Sequence, residues 1–311
     1  MTRSGLLGVA LAALCVTSTS SSHATPPVLT GPITRIPTSQ TDSLAAARDA
    51  ADRMTVPVMV NGQGPFPFVI DTGADRTVIS AELAATLDLK PGEPVVVNGT
   101  AGVDLTPTAI IPRLAVGVRE ILDVDAPMLT AANLGAVGML GIDSLRDQRM
   151  VMDFHAKRMT VEASKREHFA SDVIVVHAHR RLGQLVLVDS SIGRVPIFVI
   201  LDSGAQNTIG NFALRDFVRG QRRGDSKLPV DVVSVSGRTT PAQFASLSNV
   251  KIGGVTLHNL PIAFADLHTF KEFDLNDQPA MLLGMDVLRH FDRVSVDFGR
   301  KEVSFRVPDE G

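Results

Sequence analysis

From Met54 onward the chain consists of short apolar runs separated by turn residues. Runs such as TVPVMV, PFVID and TAIIP are rich in β-branched residues, and glycine-containing turns lie between them. Alternation of apolar and polar positions with a period of two is typical of strands that bury one face. Two amphipathic segments, AELAATLDL at 81–89 and NFALRDFVRG at 211–220, interrupt the pattern. We therefore expect an all-β protein with few short helices.

The pattern occurs twice along the chain. The segment FVIDTGADRTVIS at 68–80 has a counterpart in IFVILDSGAQNTIG at 197–210. Likewise, GMLGIDSLRDQRMVMDFHAKRMTVE at 138–162 resembles AMLLGMDVLRHFDRVSVDFGRKEVSF at 280–305. A repeat over most of both halves indicates duplication of one structural unit. The interval between the two segments is longer in the second half, so we expect a longer loop there, at 266–279.

The length of the chain agrees with duplication, because 311 residues suffice for two units of about 150 residues each. We assign the first lobe to residues 53–165, an interlobe linker strand to 166–182 and the second lobe to 183–311. Residues 25–52 are rich in Pro and Thr and are expected to form a linker or edge segment, with a short helix at 42–54.

Residues 1–24 have the pattern of a secretory signal peptide. Arg3 precedes the apolar run GLLGVALAALCV, and small residues follow up to Ala24. This run is shorter than the roughly 20 residues that a membrane-spanning helix needs. We expect cleavage after Ala24, no membrane span, and a secreted or periplasmic location. Cys15, the single cysteine, lies in this segment, so the mature chain would form no disulfide.

The composition argues against a nucleic-acid or carbohydrate partner. The formal net charge is −3, and Trp and Tyr are absent, so the rings that usually stack on bases and sugars are missing. His177 and His179 have the spacing of metal ligands but fall in the expected linker strand, where surface or core histidines are the better interpretation. We expect neither a metal nor a cofactor.

Asp71 and Asp202 occupy the same place in the two repeats, directly after a buried apolar run. A buried carboxylate is unfavourable unless it is hydrogen-bonded or has a chemical role. The residues that follow are suited to fix it, because glycines allow a turn with positive φ and hydroxyl groups can hydrogen-bond the loop. These loop-supporting residues are Thr72, Gly73, Ser203 and Gly204.

A twofold axis between the halves would bring Asp71 and Asp202 to one water molecule. Like charges at that distance cannot both ionise, so the two carboxyl groups would share a proton. One carboxylate would then act as general base toward the water, and the other would donate its proton to the carbonyl under attack. This arrangement predicts hydrolysis of a peptide bond without a covalent intermediate.

The two segments resemble those of the aspartic protease family, in particular its retropepsin-like branch, duplicated in one chain. The resemblance rests on DTGA at 71–74, on DSGA at 202–205, and on apolar-apolar-Gly elements that end at Gly141 and Gly284 and are implied to pack against the loops. It implies a pepsin-like fold of two homologous lobes, an aspartic endopeptidase activity and a polypeptide substrate. Because both loops belong to one chain, the active unit is expected to be a monomer.

The resemblance also implies which residues contact the substrate. They follow each Asp-Thr/Ser-Gly sequence or lie in two flap hairpins, at 95–103 and 232–240, that would cover the cleft. They are Ala74, Asp75, Ala205, Gln206, Gly99, Thr100 and Gly237.

The sequence departs from the family after the second glycine of each lobe. Retropepsins usually have an Arg there that pairs with the equivalent of Asp75, but Ile142 and Met285 occupy these positions. Arg76 and Arg146 are alternative partners. The Ala that follows each Asp-Thr/Ser-Gly offers no hydroxyl to the ionised pair, so we expect a pH optimum nearer neutral than that of pepsin.

Other interpretations stay open at this point. The chain could be a non-catalytic peptide-binding module that retains the fold, or each lobe could pair with its counterpart in a second chain. Asp143 and Asp286 are interpreted as N-caps of short helices. Asn98 and Gly99 are interpreted as a hairpin turn rather than as part of a glycosylation site.

Overall fold

The computed structural model describes residues 54–99, 102–169, 172–181, 184–187, 190–219, 222–223, 230–234 and 239–308. Three short strands precede them, β1 (Ala10–Leu11), β2 (Cys15–Thr17) and β3 (Val28–Thr30). The predicted cleavage site after Ala24, most of the predicted helix at 42–54, and the flap residues Thr100 and Gly237 lie outside the described residues.

The first lobe is a seven-stranded sheet that closes on itself. Its strand order is β11-β6-β12-β5-β4-β10-β7, and an additional pairing of β10 with β11 closes the ring. Strands β8 and β9 form a separate hairpin. The strands are β4 (Val56–Val60), β5 (Gln63–Ile70), β6 (Val78–Ser80), β7 (Lys90–Pro91), β8 (Val95–Gly99), β9 (Gly102–Thr106), β10 (Thr108–Val116), β11 (Arg119–Leu129) and β12 (Gly138–Leu140), and the helices are α1 (Ala81–Thr86), α2 (Ala131–Leu134) and α3 (Ile142–Leu145).

The second lobe repeats this arrangement of strands around its own Asp loop. Its strands are β16 (Gln184–Leu187), β17 (Ser190–Ile192), β18 (Val195–Pro196), β19 (Phe198–Leu201), β20 (Ile209–Gly210), β21 (Arg222–Arg223), β22 (Val230–Val233), β23 (Thr239–Ile252), β24 (Val255–Ala265) and β25 (Ala280–Leu283). Its helices are α4 (Phe212–Phe217), α5 (His268–Glu272) and α6 (Met285–Leu288). The predicted longer loop at 266–279 is present and contains α5.

A five-stranded antiparallel sheet joins the lobes, in the order β14-β13-β26-β27-β15. Its strands are β13 (Gln148–Asp153), β14 (Arg158–Ala163), β15 (Val173–Arg181), β26 (Arg293–Asp297) and β27 (Glu302–Arg306). The equivalent strands β13 and β26 meet at its centre, where Met150 lies opposite Val296. Both side chains are fully buried and belong to one hydrophobic cluster that continues into both lobes.

The duplication is visible in the strand register beside each Asp. In the first lobe β12 runs parallel to β5, with Leu140 opposite Ile70. In the second lobe β25 runs parallel to β19, with Leu283 opposite Leu201. The all-β class, the two homologous lobes and the small number of helices are therefore confirmed.

The two amphipathic segments both form helices, which are shorter than the segments. Ser80 caps α1 by accepting a hydrogen bond from Leu83, and Asn211 caps α4 by accepting one from Leu214. The amphipathic pattern continues past each helix because the next residues are still packed on the core. None of the helices in the described part of the chain is long and apolar enough to cross a membrane.

Both predicted flap hairpins are present, but the first one turns later than expected. In β8 and β9, Asn98 lies opposite Val103 and Gly99 opposite Gly102. Asn98 and Gly99 are therefore strand residues, and their interpretation as the turn was wrong by two positions. The second hairpin pairs β22 with β23, where Val233 lies opposite Thr239.

Candidate active site

Asp71 and Asp202 lie at equivalent ends of β5 and β19. The backbone N–H of Asp71 donates to the carbonyl of Leu140 at 3.0 Å, and that of Asp202 donates to Leu283 at 3.1 Å. Both Asp residues are completely buried. The neighbouring strand thus fixes the backbone of each Asp.

The two Asp loops are tied to each other by four reciprocal hydrogen bonds. The backbone N–H of Thr72 donates to Ser203 Oγ at 3.1 Å, and that of Ser203 donates to Thr72 Oγ1 at 2.9 Å. Each hydroxyl then donates across the lobe boundary, from Thr72 to Leu201 O at 2.8 Å and from Ser203 to Ile70 O at 3.0 Å. The hydroxyl groups of Thr72 and Ser203 therefore link the two loops.

Each Asp carboxyl group packs against the glycine of the opposite loop. A Cβ on Gly204 would lie 2.3 Å from Asp71 Cγ, and a Cβ on Gly73 would lie 2.9 Å from Asp202 Oδ1. Neither glycine has a positive φ, so the expected left-handed turn was wrong. These positions need glycine because a carboxyl group occupies the space of a side chain.

Backbone N–H groups hydrogen-bond both carboxyl groups. Asp71 Oδ1 accepts the N–H of Gly73 at 2.7 Å, and Asp202 Oδ1 accepts those of Gly204 and Ala205 at 3.0 and 3.1 Å. Burial raises the pKa of Asp202 well above its usual value, and the charge of Asp71 beside it raises that pKa further. Hydrogen bonds from the backbone act in the opposite direction but do not outweigh burial.

The apolar-apolar-Gly elements pack against the loops, as the sequence predicts. Leu140 and Leu283 are buried. A Cβ on Gly141 would lie 2.4 Å from the backbone carbon of Arg76, and one on Gly284 would lie 2.6 Å from that of Asn207. The chain passes so closely that no larger residue fits.

Asp143 and Asp286 connect the same two elements in each lobe. Asp143 accepts hydrogen bonds from the backbone N–H and hydroxyl of Thr77 at 3.0 and 2.8 Å. Asp286 accepts the equivalent bonds from Thr208 at 2.9 and 2.7 Å. The interpretation as N-caps was wrong, because the glycine before each helix occupies the N-cap position. These carboxylates instead hold the far end of each Asp loop.

The enclosed carboxyl group of Asp286 has a shifted pKa. Burial raises this pKa to about 6, although the hydrogen bonds from Thr208 and the positive charge of Arg289 act to lower it. Part of the residue reaches solvent, but its carboxyl group faces the protein. The hydrogen bonds between Asp286 and Thr208 are therefore sensitive to pH.

Asp75 lies in an acidic environment beside the first Asp loop. Its Oδ1 is buried and accepts no hydrogen bond from the described residues. Burial first, and then the negative charges of Glu272, Asp143 and Asp71, raise its pKa to about 7. Glu272 comes from α5 of the second lobe, which packs against the flap strand β8.

Neither alternative partner pairs with Asp75. Arg76 donates to the backbone carbonyl of Asp125, and its Nη2 lies 3.5 Å from Asp125 Oδ2. The carbonyl of Arg146 accepts a hydrogen bond from Arg119. Within the described ranges, no ion pair joins the Arg146 side chain to Asp75.

Gln206 occupies the position in the second lobe that Asp75 has in the first. It is buried, and its Oε1 accepts a hydrogen bond from Arg289 Nη2 at 3.4 Å. Arg289 also donates to the carbonyl of Met285 at 3.0 Å. The Asp75 end and the Gln206 end of the paired loops therefore differ in charge.

Ala74 and Ala205 are completely buried. Their carbonyls accept hydrogen bonds from the N–H of Ile142 at 2.9 Å and from that of Met285 at 2.8 Å. In this structure they hold the Asp loops, and contact with substrate stays a prediction. Val97 of the flap strand β8 packs with Ala74 in one hydrophobic cluster.

Comparison with known families identifies two domains. Residues 56–147 match the family described as "gag-polyprotein putative aspartyl protease", and residues 188–287 match the family described as "Aspartyl protease". The chain belongs to the aspartic protease family. An aspartyl protease domain therefore occurs twice in the chain. No curated protein matches the chain.

Several solved structures are similar to this chain. A retropepsin-like aspartic protease from Rickettsia conorii is 16% identical, with a TM-score of 0.28, and the match covers 45% of this chain and 96% of that one. Basic 7S globulin from soybean is 8% identical, with a TM-score of 0.38 and coverage of 95% and 96%. The structure of edgp is 8% identical, with a TM-score of 0.40 and coverage of 95% of each chain. Membership of the family rests on the two domain matches.

Some residues of the site escaped prediction from the sequence. Thr77 and Thr208 stand at the same distance after each Asp in the two repeats, so comparison of the repeats could have found them. Glu272 and Arg289 lack such a signal, because they reach the loops only through the packing of the folded chain.

Proposed function

We propose that the chain is an aspartic endopeptidase in which Asp71 and Asp202 share one proton and activate a water molecule. The observation that carries this proposal is the reciprocal packing of the two loops, which buries both carboxyl groups and sets each one against the glycine of the opposite loop. A purely structural acid would not require a second buried acid beside it.

The raised pKa of Asp202 favours the shared proton on this residue. Asp71, which accepts the N–H of Gly73, then acts as general base toward the water. The water oxygen attacks the peptide carbonyl while the proton of Asp202 moves to the carbonyl oxygen. When the tetrahedral intermediate collapses, a proton passes to the leaving amine, and the pair returns to its singly protonated state.

The walls near the pair favour apolar residues beside the cut bond. Val69 lies before the first Asp loop, Met139 is the first residue of the apolar-apolar-Gly element, and Val97 packs with both from the flap side. A flap that closes over the substrate would exclude water and strengthen the interactions of the charged pair.

Cleavage of unfolded casein tests the activity. We expect the purified protein to cleave casein, pepstatin to inhibit it, and Asp71→Asn and Asp202→Asn each to abolish cleavage. Asp277→Asn is the matched control, because Asp277 is an exposed loop residue. Sustained cleavage by either Asn variant of the pair would reject the shared-proton mechanism.

The same set of proteins separates catalysis from mere peptide binding. A non-catalytic module would bind casein peptides without cutting them, and the two Asn variants would bind as well as the wild type. Gel filtration of the active species tests whether both loops act within one chain, because dependence on a dimer would reject a monomeric active unit.

We also propose that the chain is exported to the periplasm or secreted. The basic, apolar and small-residue pattern of residues 1–24 supports this proposal. N-terminal sequencing of the protein from its native cells tests it, and a mature chain that still begins at Met1 would contradict it.

A further inference from the structure

A cavity of about 410 Å³ lies between the lobes, where the two Asp loops meet. Ile70 precedes Asp71, and Ser203 and Gly204 follow Asp202; all three line the cavity. Val69 and Met139 form part of an apolar wall. The volume falls in the range of small-ligand sites, and one part of its wall belongs to the proposed catalytic loops.

Another part of the lining is cationic. Lys157 and Arg158 line it from the β13–β14 hairpin, and Arg289 lines it from the end of α6. Met54, Thr55, Phe154, Met159, Gln206 and Met285 complete the lining. The lining therefore includes three cations and no acid, and we call this space the cationic pocket.

Acids lie near two of these cations without lining the pocket, Asp153 near Arg158 and Asp286 near Arg289. Asp153 faces Arg158 across the hairpin but already pairs with Arg293 at 2.8 Å. Within the described ranges, no carboxylate lies within 4.0 Å of the charged groups of Lys157 and Arg158. Both side chains are exposed and can turn toward a ligand.

The other end of the paired loops has the opposite charge. At that end, in the first lobe, Asp75 occupies the position equivalent to Gln206, and Glu272 and Asp143 lie close to Asp75. A polypeptide that extends across the Asp pair would meet acids at one end and cations at the other. Its carboxylates would be repelled at the first end and attracted at the second.

We propose that the cationic pocket binds a carboxylate of the polypeptide substrate and so sets the cleavage position relative to an acidic group. This proposal rests on the proposed function, because the pocket gains its role from the adjacent Asp pair. Arg158 and Lys157 would contact the carboxylate directly. Arg289, which holds Gln206 at 3.4 Å, would complete the cationic wall.

The carboxylate could belong to an Asp or Glu side chain or to the C-terminus of the substrate. Matched peptides distinguish these sources: one series exchanges Glu for Gln at successive positions around the cut bond, and another carries a free or an amidated C-terminus. We expect kcat/KM to fall about tenfold on neutralisation of the group that occupies the pocket, the effect of one charge-assisted hydrogen bond. Equal rates throughout both series would overturn the proposal.

Charge reversal in the protein tests the same contact from the other side. In the double variant Lys157→Glu/Arg158→Glu, we expect the preference to disappear or to turn toward Lys at the same position. Lys251→Glu is the control, because Lys251 is exposed on β23, outside the pocket. An unchanged preference in the double variant would reject the role of these cations.

Equilibrium binding separates this proposal from the proposed function. Fluorescence anisotropy of labelled peptides is measured with Asp71→Asn, which is expected to bind without cutting. Tighter binding of the acidic peptide, lost in the charge-reversed background, supports the pocket even if the wild type cleaves nothing. Cleavage by the wild type without any acidic preference in binding or rate retains the protease and overturns the pocket.

Discussion

Gly204 gives the sharpest test of how closely the two Asp loops pack. In Gly204→Ala the new Cβ would lie 2.3, 2.4 and 2.5 Å from Cγ, Oδ2 and Oδ1 of Asp71. Non-bonded heavy atoms prefer separations of about 3.5–4.0 Å. The Asp71 carboxyl group must therefore move by about 1 Å or the two loops must separate.

The structural cost follows from this geometry. Overpacking of a tight interior typically costs about 1–3 kcal/mol, and both sides are fixed here because the four hydrogen bonds between the loops resist separation. We expect Gly204→Ala to lower the free energy of unfolding by about 3 kcal/mol, at the upper end of that range. Gly73→Ala should cost less, about 1 kcal/mol, because its closest contact is 2.9 Å from Asp202 Oδ1.

The effect on catalysis should exceed the effect on folding. A misplacement of about 1 Å in a reacting group can cost about 100-fold in rate. We therefore expect Gly204→Ala to lose about 100-fold or more in kcat/KM, and Gly73→Ala to lose less.

Urea unfolding and peptide cleavage measure the two effects on the same samples. Gly254→Ala is the matched control, because its new Cβ would meet only Ile174, with Cγ2 at 3.4 Å and Cγ1 at 3.9 Å, which are ordinary contacts. If Gly204→Ala keeps the wild-type urea midpoint and cleaves within threefold of the wild type, the carboxyl group does not occupy the position derived above.

Three further predictions concern the support and titration of the pair. Thr72→Val removes both hydroxyl bonds of this residue and should cost about 2–3 kcal/mol in urea unfolding, whereas Thr72→Ser should recover most of it; equal losses would contradict the hydrogen-bond account. Folding raises the pKa of Asp286 from 3.8 to about 6, so the folded state binds this proton more tightly than the unfolded state does. The resulting contribution to the free energy of unfolding is fully present below pH 3.8 and is lost as pH rises through 6, a change of about 3 kcal/mol. Unfolding measured from pH 4 to 7 should therefore show a flatter profile for Asp286→Asn than for the wild type, and parallel profiles would refute the assignment. The raised pKa of Asp202 keeps its proton at higher pH, so the pH–rate profile should peak above that of pepsin; a maximum below about pH 3 would contradict this.

The features predicted best from sequence are those encoded by local pattern and repetition. Period-two alternation indicates strands because one face of each is buried. The repeat of Asp-Thr/Ser-Gly then requires two equivalent loops, and a pseudo-twofold arrangement brings Asp71 and Asp202 together. The repeat itself supplied the long-range contact in this part of the site, because equivalent loops meet at a twofold axis.

The features that sequence analysis missed depend on the packing of distant segments. Glycine after Asp-Thr or Asp-Ser suggested a positive φ, but close approach of the opposite carboxyl group explains Gly73 and Gly204 better. Asp143 satisfied the local rule for an N-cap, yet its oxygens bind Thr77, 66 residues away. Rules for N-caps and turns consider only residues close in sequence, so they cannot identify a hydrogen-bond partner from a distant segment.

Duplication within one chain has a consequence that a symmetric homodimer cannot match. Two identical chains present the same charge at both ends of a shared cleft, whereas here the ends diverged separately. Asp75 and Glu272 make one end acidic, and Gln206 with Arg289 makes the other cationic. Because a polypeptide has a direction, unlike ends can select the orientation of an acidic substrate as well as its sequence. Reversal of the charge at the cationic end should therefore change where a substrate is cut before it changes how fast neutral peptides are cut.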